Sequence, residues 1–299
     1  MSLFCTISTS SHLYKTFALA DSLLSYGYKL HVLLVDDEYS VAPRAPENLK
    51  IFDLKAITDK TGLALINRYR NAGDKLRWAL KPIWLLYSLQ SVEKVIYVDN
   101  DIYFYSNPSF LFDELNQHTV LLTPHFYPTD PKKNQNWLEA NLRVGLFNAG
   151  FFAVNRNATE ILAWWAECCM YKLTKSTSRG LFDDQKYLDI LPVKFDGVKI
   201  LKHKGCNLAG WNATEYSLVN QPTGLTIEGL TPIIFIHFAD LSMRLFSHQT
   251  SNLFTYYQSY INALRKYKSD YVYKRNYFSV YQITSFINYL IWKIKRMMD

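Results

Sequence analysis

The run Val95-Ile96-Tyr97-Val98 is apolar, β-branched and aromatic, and Asp99-Asn100-Asp101 follows it at once. In extended chain residues i and i+2 point to the same side, so the two carboxylates converge just past a buried strand. Carboxylates held together repel unless a proton or a cation lies between them, and a divalent metal that also grips a diphosphate resolves the repulsion. Aspartates capping a strand-ending turn are the competing reading. A calcium loop of the EF-hand type is excluded, because Tyr103 stands at the third acidic position and Phe104 at the glycine. His237 closes a second apolar run, Ile233-Ile234-Phe235-Ile236. An imidazole beside two carboxylates makes a mixed N/O ligand set that suits Mn²⁺ at least as well as Mg²⁺, the plainer alternative being a hydrogen-bonded structural histidine.

Two further clusters carry polar chemistry. Asp183-Asp184-Gln185 opens an expected helix, 182–191, where the carboxylates either cap the helix or serve a site. The loop Gly205-Cys206-Asn207-Leu208-Ala209-Gly210-Trp211-Asn212 is built from small residues, with Asn207, Trp211 and Asn212 suited to hydrogen-bonding and stacking on a sugar.

These residues need a scaffold, and the hydrophobic periodicity supplies one. Strands are expected at 3–7, 30–35, 49–54, 95–98, 147–154 and 233–236, and helices at 13–24, 76–85, 159–173 and 182–191. Strands alternating with helices predict an α/β fold, a mostly parallel sheet covered on both faces. Ligands of such sheets bind beyond the carboxyl ends of the strands, and two strands here end in paired acids, Asp36-Asp37 and Asp99/Asp101. A composition 49% apolar and only 20% charged excludes a disordered or coiled-coil chain and provides for a large core.

Cys5, Cys168, Cys169 and Cys206 make no C-x-x-C pair, so buried free thiols are expected. The first residues lack a basic n-region and a small-residue cleavage site, which points to the cytoplasm and leaves the sequons at Asn157 and Asn212 without weight. No uncharged apolar segment is long enough to span a bilayer. Eight basic residues against two acidic ones lie within 265–299, so six of the net +7 charges belong to that segment. Its apolar positions from Val280 to Met297 recur at helical spacing, which predicts a basic amphipathic helix on an anionic membrane surface, the plainer alternative being a C-terminal helix packed on the domain or on a second subunit. The division expected is therefore residues 1–264 as one domain and 265–299 as a helical appendage, with the protein peripheral on the cytoplasmic face of the inner membrane.

In order along the chain, Asp99-x-Asp101, Gly145-Leu146-Phe147-Asn148-Ala149-Gly150, Trp164-Trp165, Gly180-Leu181-Phe182-x-Asp184-Gln185, Asn207-x-Ala209-x-Trp211-Asn212 and His237-Phe238 resemble the bacterial nucleotide-sugar-dependent glycosyltransferases of the GT-A, Rossmann-like fold. The style is that of the family-eight-like enzymes that build lipopolysaccharide and capsule, and the resemblance covers about residues 1 to 250. It implies transfer from a nucleoside diphosphate sugar, a UDP-sugar, to a hydroxyl of a glycan or glycolipid acceptor, with Mn²⁺ or Mg²⁺. It implies Asp101 and His237 as metal ligands, Asp99 on the metal or the ribose, and Asn148 and Gly150 beside the donor sugar. Thr6, Ile7 and Ser8 with Asp36 would meet the base, and Lys81, Asn100, Asn207, Trp211 and Asn212 would complete donor binding. Asp184 and Gln185 would hold the donor hydroxyls near the anomeric carbon. If configuration is retained, Gln185 lies under that carbon; if it inverts, Asp183 or Asp184 is the base. The lysine that follows the histidine in the family is not filled in register, and Arg244 or His248 is expected to neutralise the leaving group instead.

Two other classes compete. A nucleotidyltransferase would carry a glycine-rich basic loop after the first strand, and Ser8-Thr9-Ser10-Ser11-His12 has neither glycine nor arginine. A carbohydrate- or membrane-binding module would explain the aromatics but not the ordered acids. Nucleic acid is not an expected partner, since basic and aromatic residues do not interleave along any expected strand.

Overall fold

A computed structural model of the chain describes residues 2–36, 45–222 and 224–273. Strand β1 (Ser2–Ser8), helix α1 (Leu13–Leu24), β2 (Leu30–Leu34) and β3 (Leu49–Phe52) open the fold, and α2 (Lys60–Tyr69), α3 (Asp74–Ala79) and α4 (Lys81–Leu89) lead to β4 (Lys94–Val98). Next come β5 (Ile102–Phe104), α5 (Ser109–Glu114), β6 (Val120–Pro124), α6 (Gln135–Arg143), β7 (Phe147–Asn155) and α7 (Thr159–Tyr171). Short elements follow: β8 (Lys175–Ser176), β9 (Leu181–Phe182), α8 (Leu191–Lys194), β10 (Val198–Ile200), β11 (Leu218–Gln221), β12 (Gly224–Ile227), β13 (Thr231–Pro232) and β14 (Phe235–His237). Helices α9 (Asp240–Phe246) and α10 (Phe254–Tyr267) close the described fold.

The expected α/β architecture is present as a seven-stranded sheet in the order β10-β6-β7-β4-β1-β2-β3. Strands β1 to β4 run parallel, whereas β7 is antiparallel to both of its neighbours, β4 and β6. Side-chain alternation divides the core. From β4, Val95 and Tyr97 join one apolar layer with Trp84 of α4 and Trp165 of α7, while Ile96 and Val98 join the other with Leu19 of α1 and Phe112 of α5. Asp99 continues the Tyr97 side, so it emerges on the face covered by α4.

Three expected elements change. The helix over 76–85 is two helices, because Pro82 lacks the N–H that would continue α3 and instead starts α4. The helix over 182–191 is replaced by β9, a turn, the 3₁₀ helix Lys186–Ile190 and α8. The strand over 233–236 shifts to Phe235–His237 and leaves the main sheet, pairing antiparallel with β5 so that His237 lies opposite Ile102. A compact unit spans Met1–Ser269, and Asp270–Asp299 forms a second unit. The boundary expected after residue 264 thus falls within α10. The expected amphipathic helix over 280–297 lies outside the described residues. Among the described residues no helix is long and apolar enough to cross a membrane.

Candidate functional site

The site forms where β4 runs out against β7. The Asp99 backbone N–H donates to Gly150 O at 2.8 Å, and the chain then turns, with Ile102 N–H donating to Asp99 O at 3.1 Å. The two aspartates therefore converge through a turn rather than through the extended chain expected from their spacing. The register of β5 with β14 brings His237 to the same point. Its Nε2 is 3.0 Å from Asp101 Oδ1, and ligand atoms of Asp99, Asp101 and His237 all lie within 4.8 Å of one another. Burial opposes charge on the imidazole, but the Asp101 charge and hydrogen bond outweigh it, and the His237 pKa rises. Burial likewise raises the Asp101 carboxyl, yet His237 overrides it and holds the acid well below the usual carboxylate range.

The ligand set fits a divalent cation, with two carboxylates and one imidazole as hard and borderline donors. Gly150 supports the fit. A Cβ added there would stand 2.6 Å from His237 Cε1, 2.6 Å from Asn148 Oδ1 and 3.0 Å from Asp99 Oδ2, so only glycine leaves this cradle open. On its far side His237 Nδ1 is 3.4 Å from Asn207 Oδ1, which fixes the ring by the nitrogen opposite Asp101.

Lys81 couples this cluster to the second acidic group. Only 2% exposed, it donates to Ala149 O at 2.9 Å and sits 3.3 Å from Asp99 Oδ1 and 3.2 Å from Asp184 Oδ2. Tyr97 adds a hydrogen bond to Asp99 Oδ1 at 2.8 Å. The Asp184 oxygen pairs with the ammonium without hydrogen-bond alignment. Burial pushes the Asp184 carboxyl up to about 6, against the pull of Lys81. Burial also disfavours the Lys81 ammonium, but Asp184 and Asp99 outweigh it and raise its pKa. The Trp165 indole N–H donates to Asp184 O at 3.0 Å, so this one of the paired tryptophans positions the acid from α7, while Trp164 packs on Phe195. Gln185 is half-buried, its amide N–H committed to Val144 O at 3.1 Å.

The remaining expected residues are placed as follows. Asp183 turns away from the cluster and pairs with Lys175 at 3.6 Å. Asn207 and Asn212 are fully buried; Asn212 donates to His125 O and Asn207 O, and Asn207 to Pro124 O, so both hold the loop instead of facing a sugar. Trp211 packs edge-on against His237, ring centroids 5.4 Å apart. Asn148 Oδ1 is engaged by Gly150 N–H at 2.7 Å. Thr6, Ile7 and Ser8 are buried in β1; Ser8 accepts from Asn100, tying the β4 turn to the end of β1. Both Asp36 oxygens accept from Ser10 N–H at 2.9 Å and so close the loop after β1. Arg244 is half-buried in the last turn of α9, and His248 is exposed just beyond it. Tyr97 was not singled out from the sequence, although its i, i+2 relation to Asp99 in a strand was the signal. Cys5, Cys169 and Cys206 are buried and Cys168 is half-buried, all four as free thiols.

The order and direction of the sheet strands identify the fold. The fold is the GT-A fold of glycosyltransferases. Galactosyltransferase LgtC, solved with donor and acceptor sugar analogues, matches it with a TM-score of 0.54 and 13% identity, over 92% of this chain and 98% of that one. The glycosyltransferase GlyE of Streptococcus pneumoniae TIGR4 matches with a TM-score of 0.51 and 13% identity, over 94% of this chain and 67% of that one. No protein-family model matches the chain. The chain belongs to one family with the uncharacterized protein YfnD of Bacillus subtilis strain 168, with 30% identity over 267 residues, 85% of this chain and 82% of YfnD. YfnF of the same organism is 28% identical over 251 residues, 80% of this chain and 81% of YfnF.

Proposed function

We propose that the protein is a metal-dependent glycosyltransferase that moves a sugar from a UDP-sugar to a hydroxyl of a surface-glycan acceptor. The observation that carries this reading is the convergence of Asp99, Asp101 and His237 at the carboxyl edge of a GT-A sheet. Transfer breaks the bond from the anomeric carbon to the β-phosphate oxygen and forms one to the acceptor oxygen, whose proton must leave. Asp99, Asp101 and His237 would hold Mn²⁺ or Mg²⁺, which supplies charge stabilisation to the departing diphosphate when bound. Lys81 fixes Asp99 and Asp184 relative to each other, so the acid that meets the donor sugar is tied rigidly to the metal ligands. Asp184, with its carboxyl near 6, is ionised at neutral pH and accepts hydrogen bonds from sugar hydroxyls or the proton of the acceptor. The basic segment 265–299 favours a lipid-linked acceptor at an anionic membrane surface.

The test is UDP release from a panel of UDP-sugars, with and without Mn²⁺, by the wild-type protein and Asp101→Ala. Metal-stimulated release that Asp101→Ala abolishes is the expected result. Equal release by Asp101→Ala in EDTA refutes the metal site, and pyrophosphate exchange in place of UDP release identifies a nucleotidyltransferase.

A further inference from the structure

A cavity of about 320 Å³ opens between α3 and the segment that joins α7 to β9, lined by Asp74, Lys75, Trp78, Thr174, Lys175 and Asp183 among others. It shares both walls with the acidic site. Trp78, near the end of α3, precedes Lys81, the first residue of α4, by three positions, and Asp183 immediately precedes Asp184. The consecutive carboxylates diverge: Asp184 Oδ2 meets Lys81 at 3.2 Å, whereas Asp183 Oδ2 meets Lys175 at 3.6 Å on the cavity side.

That divergence depends on an unusual backbone. Asp183 has φ 46°, the left-handed region that aspartate and asparagine enter more readily than other residues with a Cβ, and its N–H donates to Thr174 O at 3.0 Å. The carboxylate so aimed is in a residue only 5% exposed, yet it lines the cavity. Its cation partner is half exposed to solvent. The Lys175 side chain is 49% exposed, and its Nζ stands 5.3 Å over the Trp78 ring and 5.4 Å over Phe182.

An indole face, a buried carboxylate and flanking ammonium groups match the two surfaces of a pyranose, which has one apolar face of C–H bonds and a rim of hydroxyl donors and acceptors. We propose that this cavity receives a pyranose ring of the acceptor, which stacks on Trp78 and donates its hydroxyls to Asp183. Lys175 covers the indole until the sugar displaces it. The inference rests on the transferase reading for the word acceptor; the sugar-binding chemistry itself does not.

Saturation-transfer NMR and calorimetry of the full chain with p-nitrophenyl glucopyranoside, galactopyranoside, mannopyranoside and N-acetylglucosaminide test it, using Trp78→Ala and Asp183→Asn. Asparagine is nearly isosteric with aspartate and tolerates a positive φ, so the second variant keeps the fold if the first does not. At least one glycoside is expected to bind the wild-type protein, and each folded variant is expected to weaken that binding at least tenfold. Failure of every glycoside to bind folded wild-type protein, or undiminished binding by both variants, overturns the proposal. Titration of the wild-type protein with Mn²⁺ and UDP checks the donor side separately: glycoside binding without Mn²⁺–UDP binding would leave the sugar cavity standing and remove the transferase reading.

Discussion

Asp184→Asn is expected to stabilise the protein at pH 7.5 while removing its activity. The residue is 4% exposed, and its Oδ2 has an ion pair with Lys81 but no hydrogen bond. Burial lifts its carboxyl from 3.8 to about 6, with Lys81 pulling down and Asp99 pushing up. The folded state therefore holds a proton that the unfolded chain releases. Stability from this group is full below pH ~4 and is lost as pH rises through about 6. A shift of about two units corresponds to about 3 kcal/mol at pH 7.5, falling to about 1 kcal/mol at pH 4.5. Asparagine stands in for the protonated acid and escapes this loss. With an unfolding entropy of about 0.6 kcal/mol/K for a chain of this size, Tm should rise by about 5 °C at pH 7.5 and by less than about 2 °C at pH 4.5. Thermal melts of both proteins in EDTA at the two pH values measure this. An equal difference at both pH values, or an asparagine variant less stable than wild type at pH 7.5, refutes the reasoning.

Three other perturbations follow from distances at the site. Gly150→Ala places a methyl 2.6 Å from His237 Cε1 and 3.0 Å from Asp99 Oδ2, so Mn²⁺ affinity by calorimetry should fall at least about tenfold, roughly 1.4 kcal/mol. Asn207→Gly keeps the φ of 65° but removes the amide that faces His237 Nδ1, and Mn²⁺ should bind about 10- to 100-fold more weakly; unchanged affinity would show that the amide does not orient the ring. Iodoacetamide at pH 7.5 should modify the native protein at Cys168 at most, because burial pushes even this half-buried thiol up to about 11, whereas the denatured chain should take four adducts by mass spectrometry.

The sequence by itself determined the sheet strands at 3–7, 30–35, 95–98 and 147–154, because each is a short apolar run bounded by polar residues, and burial on both faces demands that pattern. It also marked Asp99, Asp101, His237 and Asp184, since ionisable groups that end apolar segments lie near the sheet edge whatever the details. Strand direction was not legible, as β7 carries the same residue types whether parallel or antiparallel. Only the tertiary structure decided that Asp99 and Asp101 meet through a turn, that His237 reaches them through pairing of β14 with β5, and that Lys81 joins Asp99 to Asp184. It also divided the acids between the cavity beside Trp78, which Asp183 lines, and the ion pair with Lys81, which Asp184 makes, through one left-handed residue, and turned Asn207 and Asn212 inward as loop supports. These outcomes depend on contacts between residues far apart in the chain, where burial and distance, rather than local propensity, fix each side chain's direction.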